Sequence, residues 1–276
     1  MASTRDIRSK IRSVRNIDQI CRAMKTVASI RLRRAEQRVA ASRPYRQRMA
    51  DLVRRVAAVT QEHPFLQSRE EERIAVALIT GDRGLCGGYN ANVVRRAVRV
   101  GPPETTSVIA LGRKGLGQMR RRGYPIVDQI VPLGGEPSIS DTSRMAERIG
   151  QLFLGGEVDR VVLVYTVFGA AASAQVRAET VLPVTVEAGE SEDVIFEPAA
   201  RKLLSGVMWR YLRSQVIGTV LEASASEHAA RVAAMTAATD NADEMMRELT
   251  LQYNKARQAG ITAELTEIVS SAQATA

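Results

Sequence analysis

The densest set of residues able to do chemistry is TGDRGLCGGYN at positions 80–90, with four glycines, an aspartate, an arginine and a cysteine. An apolar run precedes it and a helical pattern follows. A glycine loop between a strand and a helix could cradle a phosphate on its backbone amides. This loop lacks the lysine followed by serine or threonine that grips nucleotide phosphates, and its glycines do not have dinucleotide-fingerprint spacing. The simpler reading is a tight strand-to-helix turn, with glycines where backbones approach closely or φ turns positive. Asp82 and Arg83 can pair locally or meet a partner. Elsewhere the chemistry thins out. His63 and His228 lie in different segments, and Cys21 and Cys86 lack metal-ligand spacing. Each cysteine reads as a small buried hydrophobe, without a disulfide. No serine sits in a nucleophile elbow. The expectation is no catalytic, cofactor or metal set, and an enzyme reading would rest on this one loop.

Charge is unevenly placed. Residues 1–62 carry 16 Lys and Arg against 5 Asp and Glu, residues 63–199 carry 15 against 17, and residues 200–276 carry 8 of each. RLRRAEQR, residues 31–38, is the densest basic run. Such a stripe can grip nucleic-acid phosphates or face acidic loops of a protein partner. Aromatic residues make up 4% of the chain, too few to offer stacking platforms, which favours the protein partner. No run of 18 or more apolar residues occurs, nor a targeting segment with an apolar core. The chain is expected to be soluble or peripheral, with any membrane link made through other subunits.

Three segments must position these groups: residues 1–62, residues 63–199 and residues 200–276. In the first, Ile7, Ile11, Val14, Ile17, Cys21, Met24, Ala28, Leu32, Ala35 and Val39 recur at three- and four-residue steps, which is helix periodicity on a coiled-coil scale. Ser3 or Thr4 can cap its start, and Pro44 is the one breaker, where a kink or joint is expected. A helix of this length would reach about 80–90 Å. The last segment begins with Pro198 in a first turn, carries Leu203, Val207, Tyr211, Ile217 and Leu221 on one face, then turns alanine-rich and slim. It is expected to bend or fray near Gly260. Neither stripe can fold alone, so the two ends should pair antiparallel. The middle alternates candidate strands (74–80, 108–111, 126–131, 161–167, and an edge strand at 176–186) with helices (89–100, 113–122, 142–155). It should form a small α/β domain with a partly parallel sheet and bury its own core. The fold class is therefore α/β, a long antiparallel coiled coil of N- and C-terminal helices plus a central Rossmann-like α/β domain.

DIRSKIRSVRNIDQICRAMKTVASIRLRRA (6–35), VAASRPY (39–45), the 80–90 loop, and the C-terminal SEHAARVAAMTAATDNADEM, LQYNKARQAGIT and ELTEIVSSA together resemble the gamma subunit family of F-type proton-translocating ATP synthases. The resemblance spans nearly the whole chain. It implies a central rotor shaft that carries no catalytic residue and no cofactor. The terminal coiled coil would penetrate a ring of three alpha and three beta subunits. The middle domain would sit against the epsilon subunit and the c-subunit ring on the cytoplasmic side of a bacterial cell membrane. Proton-driven rotation would then cycle the beta sites through their conformations. Carried over position by position, the resemblance implies partner contacts at Arg231, Gln258 and Thr262, a lower catch at Met24 and Lys25, and basic rotor-surface positions at Arg8 and Arg12. FGAAASAQV, residues 168–176, departs from the stretch common in bacterial relatives, which leaves epsilon or c-ring contacts there open. The chloroplast branch carries an inserted cysteine pair; the middle segment here has Cys86 alone, so no thiol switch is expected. A basic coiled-coil nucleic-acid binder is the alternative from another class, and a phosphate-binding α/β enzyme the third.

Overall fold

The computed structural model describes residues 4–60, 62–131, 137–169, 175–186, 197 and 199–274. Ser3, Pro198 and most of the divergent 168–176 stretch lie outside the described residues. In chain order the elements are α1 (Thr4–Val59), β1 (Ile74–Ile79), α2 (Tyr89–Val98), β2 (Thr106–Leu111), α3 (Arg113–Arg121), β3 (Ile126–Ile130), α4 (Ile139–Leu154), β4 (Arg160–Thr166), β5 (Val176–Leu182) and α5 (Ala200–Ala274). The chain forms two compact units, one of Met1–Val27 with Val232–Ala276 and one of Ala28–Arg231.

In the larger unit the sheet order is β3-β2-β1-β4-β5, with β5 antiparallel to β4 and the other neighbours parallel. IAVALI in β1 and VVLVYT in β4 are apolar at consecutive positions because both sheet faces are covered. On β1, Val76 and Leu78 face α2 and α3, meeting Val93, Val94, Ala97 and Met119. Ala75, Ala77 and Ile79 face the other way, towards Met145, Ile149 and Phe153 of α4. That second core also takes in Met49, Val53 and Val56 of α1, and Leu204, Met208, Leu212 and Val216 of α5. The middle segment therefore buries only one of its two sheet faces by itself; the sequence expectation fails for the other, which α1 and α5 help α4 to close. The His63 ring, its pKa lowered by burial, caps the short turn at Pro64–Leu66 by accepting from the Phe65 amide at 3.1 Å. Phe65 then stacks edge-on against Phe153 and Trp209, tying α4 to α5.

The long helices run antiparallel within each unit. In the larger one, Arg46 of α1 meets Glu222 of α5 at 2.9 Å and Gln215 at 3.3 Å, and Ala35 and Val39 pack on Ala225. Arg46 crosses directly over Gly218, where a Cβ would overlap its stem. In the smaller unit, Arg8 donates to the Tyr253 hydroxyl and Arg22 to Asp243, each at 2.8 Å, while Arg22 also holds Asp18 of its own helix. Pro44 does not end α1. It is exposed, as is Ala40, whose carbonyl loses its intrahelical donor, so solvent can satisfy that group. Likewise α5 continues through Gly260.

Candidate functional site

Residues 80–90 form a joint between the sheet and α5. Thr80 extends β1, accepting from the Gly115 amide at 2.9 Å and donating to the Leu111 carbonyl at 3.2 Å through its hydroxyl. Asn90, at the start of α2, reaches back to accept from the Gly81 amide at 2.9 Å and donates to Cys86 Sγ at 3.3 Å. Asp82 accepts from the Arg113 amide at 2.9 Å, which places a carboxylate on the first turn of α3, where the helix dipole favours it. Of the two readings of Asp82 and Arg83, the local pair does not form: Arg113 takes that place, its Nε 3.9 Å from Asp82 Oδ2. Gly87 has φ +56°, and so, less expectedly, does Leu85 at +62°; Leu85 is exposed at the loop tip. A side chain at Gly81 would strike the Glu227 carboxylate at 2.6 Å, so the glycine is there for close approach.

From α5, Ala223 and Arg231 hold this loop by hydrogen bonds. The Tyr89 hydroxyl donates to the Ala223 carbonyl at 3.0 Å. Arg231 donates to Glu227 Oε1 at 2.6 Å and to the Gly84 carbonyl at 3.4 Å. It also lies 3.2 Å from His228 Nδ1, and because a guanidinium only donates, that nitrogen accepts. Burial pushes the Glu227 carboxyl up, and Arg231 offsets only part of that. Burial likewise raises the Cys86 thiol and the Tyr89 phenol, so Cys86 is a poor nucleophile, in keeping with its reading as a small hydrophobe. The geometry is that of a tight turn packed on a helix. A phosphate brought to this face would meet Asp82 and Glu227, carboxylates that repel it. Among the described residues no group of histidine, cysteine and carboxylate side chains could hold a metal ion, and no helix is long and apolar enough to cross a membrane.

A family model described as ATP synthase matches residues 3–275. The ATP synthase gamma chain of Desulfitobacterium hafniense is 42% identical over 279 residues, covering 99% of both chains. Those of Desulforamulus reducens and Halothermothrix orenii are 41% and 39% identical, again over 99% of each chain. This chain belongs to the ATP synthase gamma chain family. Among solved structures, a chain of the Euglena gracilis mitochondrial ATP synthase (OSCP/F1/c-ring, rotational state 3) aligns over 99% of this chain and 94% of its own, with a TM-score of 0.75 at 22% identity. Another, from the rotor of that enzyme in rotational state 1, covers 94% and 98% with a TM-score of 0.68 at 21% identity. These two likenesses establish the gamma chain fold.

The residues that the gamma chain resemblance singled out fall in different settings. Gln258 and Thr262 are exposed one turn apart on α5, the Thr262 hydroxyl donating to the Gln258 carbonyl at 2.9 Å. Arg8 and Arg12 are exposed on α1, with Arg8 also 5.5 Å over the Tyr253 ring. Met24 and Lys25 are half-buried. Arg231 is the exception: at 8% exposure it is buried in the joint rather than on a free surface. Sequence reasoning passed over Glu227, Tyr89 and Asn90, which complete that joint. The four-residue spacing of Glu227 and Arg231 was the available signal, since it puts opposite charges on one helix face.

Proposed function

We propose that this chain is the central rotor shaft of an F-type ATP synthase, coupling proton-driven rotation of a c-subunit ring to the conformational cycle of the beta-subunit catalytic sites. The observation that carries this reading is family membership over the whole chain rather than over one domain. The structure supports it physically. Two paired helices share load over many contacts, and a shaft without threefold symmetry biases three equivalent sites differently, each site shifting by its own differential contact with the shaft. The partners are the alpha and beta subunits of the catalytic head, the epsilon subunit and the c ring. The chain is a non-catalytic subunit, peripheral to the membrane and on the cytoplasmic side of a bacterial cell. Gln258, Thr262, Met24, Lys25, Arg8 and Arg12 are the proposed contact positions. Arg231 acts there from within the joint, by holding the 80–90 loop in the form presented to a partner. The test is purification from native membranes through a tag on this chain. Alpha and beta subunits should accompany it in a three-to-three-to-one ratio, and their absence from an intact, folded preparation refutes the rotor reading.

A further inference from the structure

The sheet face covered by α2 and α3 carries a feature that the rotor reading does not use. Both helices follow strands of one parallel sheet and run back along it, so both end at the same edge. Each ends in arginines: Arg95, Arg96 and the capping Arg99 on α2, and Arg120, Arg121 and the capping Arg122 on α3. The two ends are fastened side by side, because the Tyr124 hydroxyl just after α3 donates at 2.9 Å to the Gly101 carbonyl just after α2. All six arginines are exposed. Their hydrogen bonds go to neutral groups: Arg95 to Asn92, Arg120 to Gln129, Arg122 to Gln118. Among the described residues none has a carboxylate within 4.0 Å, although 63–199 is on balance slightly acidic. Glu104 is the nearby acid, acting with Arg122 on the Tyr124 phenol.

Cations at helix C-termini complement the dipole, but that effect fades within the last turn and accounts for one or two residues per end, not three. A protein-docking surface needs a buried aromatic or aliphatic anchor; among the described residues the one large hydrophobic side chain exposed at these arginines is Val98, at 38%, beside the exposed Pro102 and Pro125. A surface reading nucleic-acid bases would need stacking aromatics, and Tyr124 is buried. What remains is a rigid array of guanidinium groups, which bind phosphate in two-pronged fashion. We propose that the arginine edge of α2 and α3 docks on the phosphate headgroups of an anionic phospholipid bilayer. The charge argument stands without the rotor reading; the choice of a bilayer over a nucleic-acid backbone rests on it.

The experiment is co-sedimentation of the full chain with phosphatidylcholine vesicles, with or without phosphatidylglycerol, at about 0.15 M salt, where long-range attraction is screened. One variant carries Arg96→Gln, Arg99→Gln, Arg121→Gln and Arg122→Gln. A second removes the same charge from exposed α1 positions, with Arg33→Gln, Arg34→Gln, Arg43→Gln and Arg48→Gln. Unchanged circular dichroism confirms that both are folded. The α2–α3 variant should lose about fivefold in partitioning for each arginine removed, and the α1 variant should stay within about threefold of wild type. Equal losses mean net charge alone is at work and overturn the proposal, as does wild-type protein that ignores phosphatidylglycerol. Retained vesicle binding with lost binding to duplex DNA overturns it in favour of nucleic acid. These readouts need no alpha or beta subunit, so their failure leaves the rotor reading untouched.

Discussion

Replacing Arg231 with methionine keeps an unbranched, flexible side chain, though a shorter one, and removes its charge, leaving Glu227 in the joint without its cation. The pair is well shielded, with side-chain exposures of 10% and 14%. Cutting one partner of a buried pair costs about 3–5 kcal/mol. Glu227 can escape part of this by keeping its proton, at about 1.4 kcal/mol per pH unit between its unfolded pKa and the solution pH. The pH dependence follows from direction. The folded carboxyl already binds its proton more tightly than the unfolded one, because burial outweighs Arg231. Wild-type stability therefore falls as pH rises from the unfolded value to the folded value, then levels off. Without Arg231 the folded value climbs further and the falling window stretches towards neutrality. The variant should be close to wild type at about pH 4, where both states hold the proton, and about 3 kcal/mol less stable at about pH 8. Urea denaturation followed by circular dichroism at the two pH values measures this, with the Glu227→Gln, Arg231→Met double variant recovering much of the loss. A gap below about 1 kcal/mol at the higher pH, a gap independent of pH, or a double variant no better than the single one would refute the reasoning.

Gly218→Ala should lower the thermal midpoint, costing about 1–3 kcal/mol, because its Cβ would overlap the Arg46 stem and disturb the ion pair to Glu222. Gly206→Ala on the same helix meets nothing within 4 Å and should instead stabilise by about 0.5–1 kcal/mol; calorimetry on the pair separates packing from helix propensity. Gln258→Ala with Thr262→Ala should leave the chain's own melting unchanged but slow ATP hydrolysis and proton pumping by the reconstituted complex, about fivefold for each kcal/mol of lost contact; full rates in an equally assembled complex would reject those two positions. The purified chain alone should release no phosphate from ATP with magnesium, and turnover that tracks the protein and vanishes in Asp82→Asn would contradict this.

The elements were legible in the sequence wherever burial leaves a local mark. Continuous apolar runs gave β1 and β4, and three- and four-residue periodicity gave α1 and α5. Ends were less legible. The α4 helix begins at Ile139, earlier than periodicity alone indicates, because Ser138 and Asp141 form a reciprocal capping box. The β5 strand stops at Leu182, ahead of Pro183, which has no amide to give the ladder. Pro44 leaves α1 continuous, because whether a helix can carry a proline depends on which side of it meets solvent, a tertiary fact. The glycine loop was recognisable as a tight turn, yet neither the positive φ of Leu85 nor the burial of Arg231 has a local signature. The burial of Arg231 depends on a loop more than a hundred residues earlier in the chain.

That distance has a consequence for how the protein is made. The face of β1 bearing Val76 and Leu78 can close once the chain has been synthesised through β5, since all its partners lie between residues 74 and 178. The opposite face needs Leu204, Met208, Leu212 and Val216, a part of the chain that leaves the ribosome only after the whole sheet. Until then that side of the sheet has only α4 and α1 to cover it, and the apolar side chains that α5 will bury stay exposed. The nascent chain thus has a built-in interval of vulnerability to aggregation, one that a chaperone able to shield half a sheet would shorten.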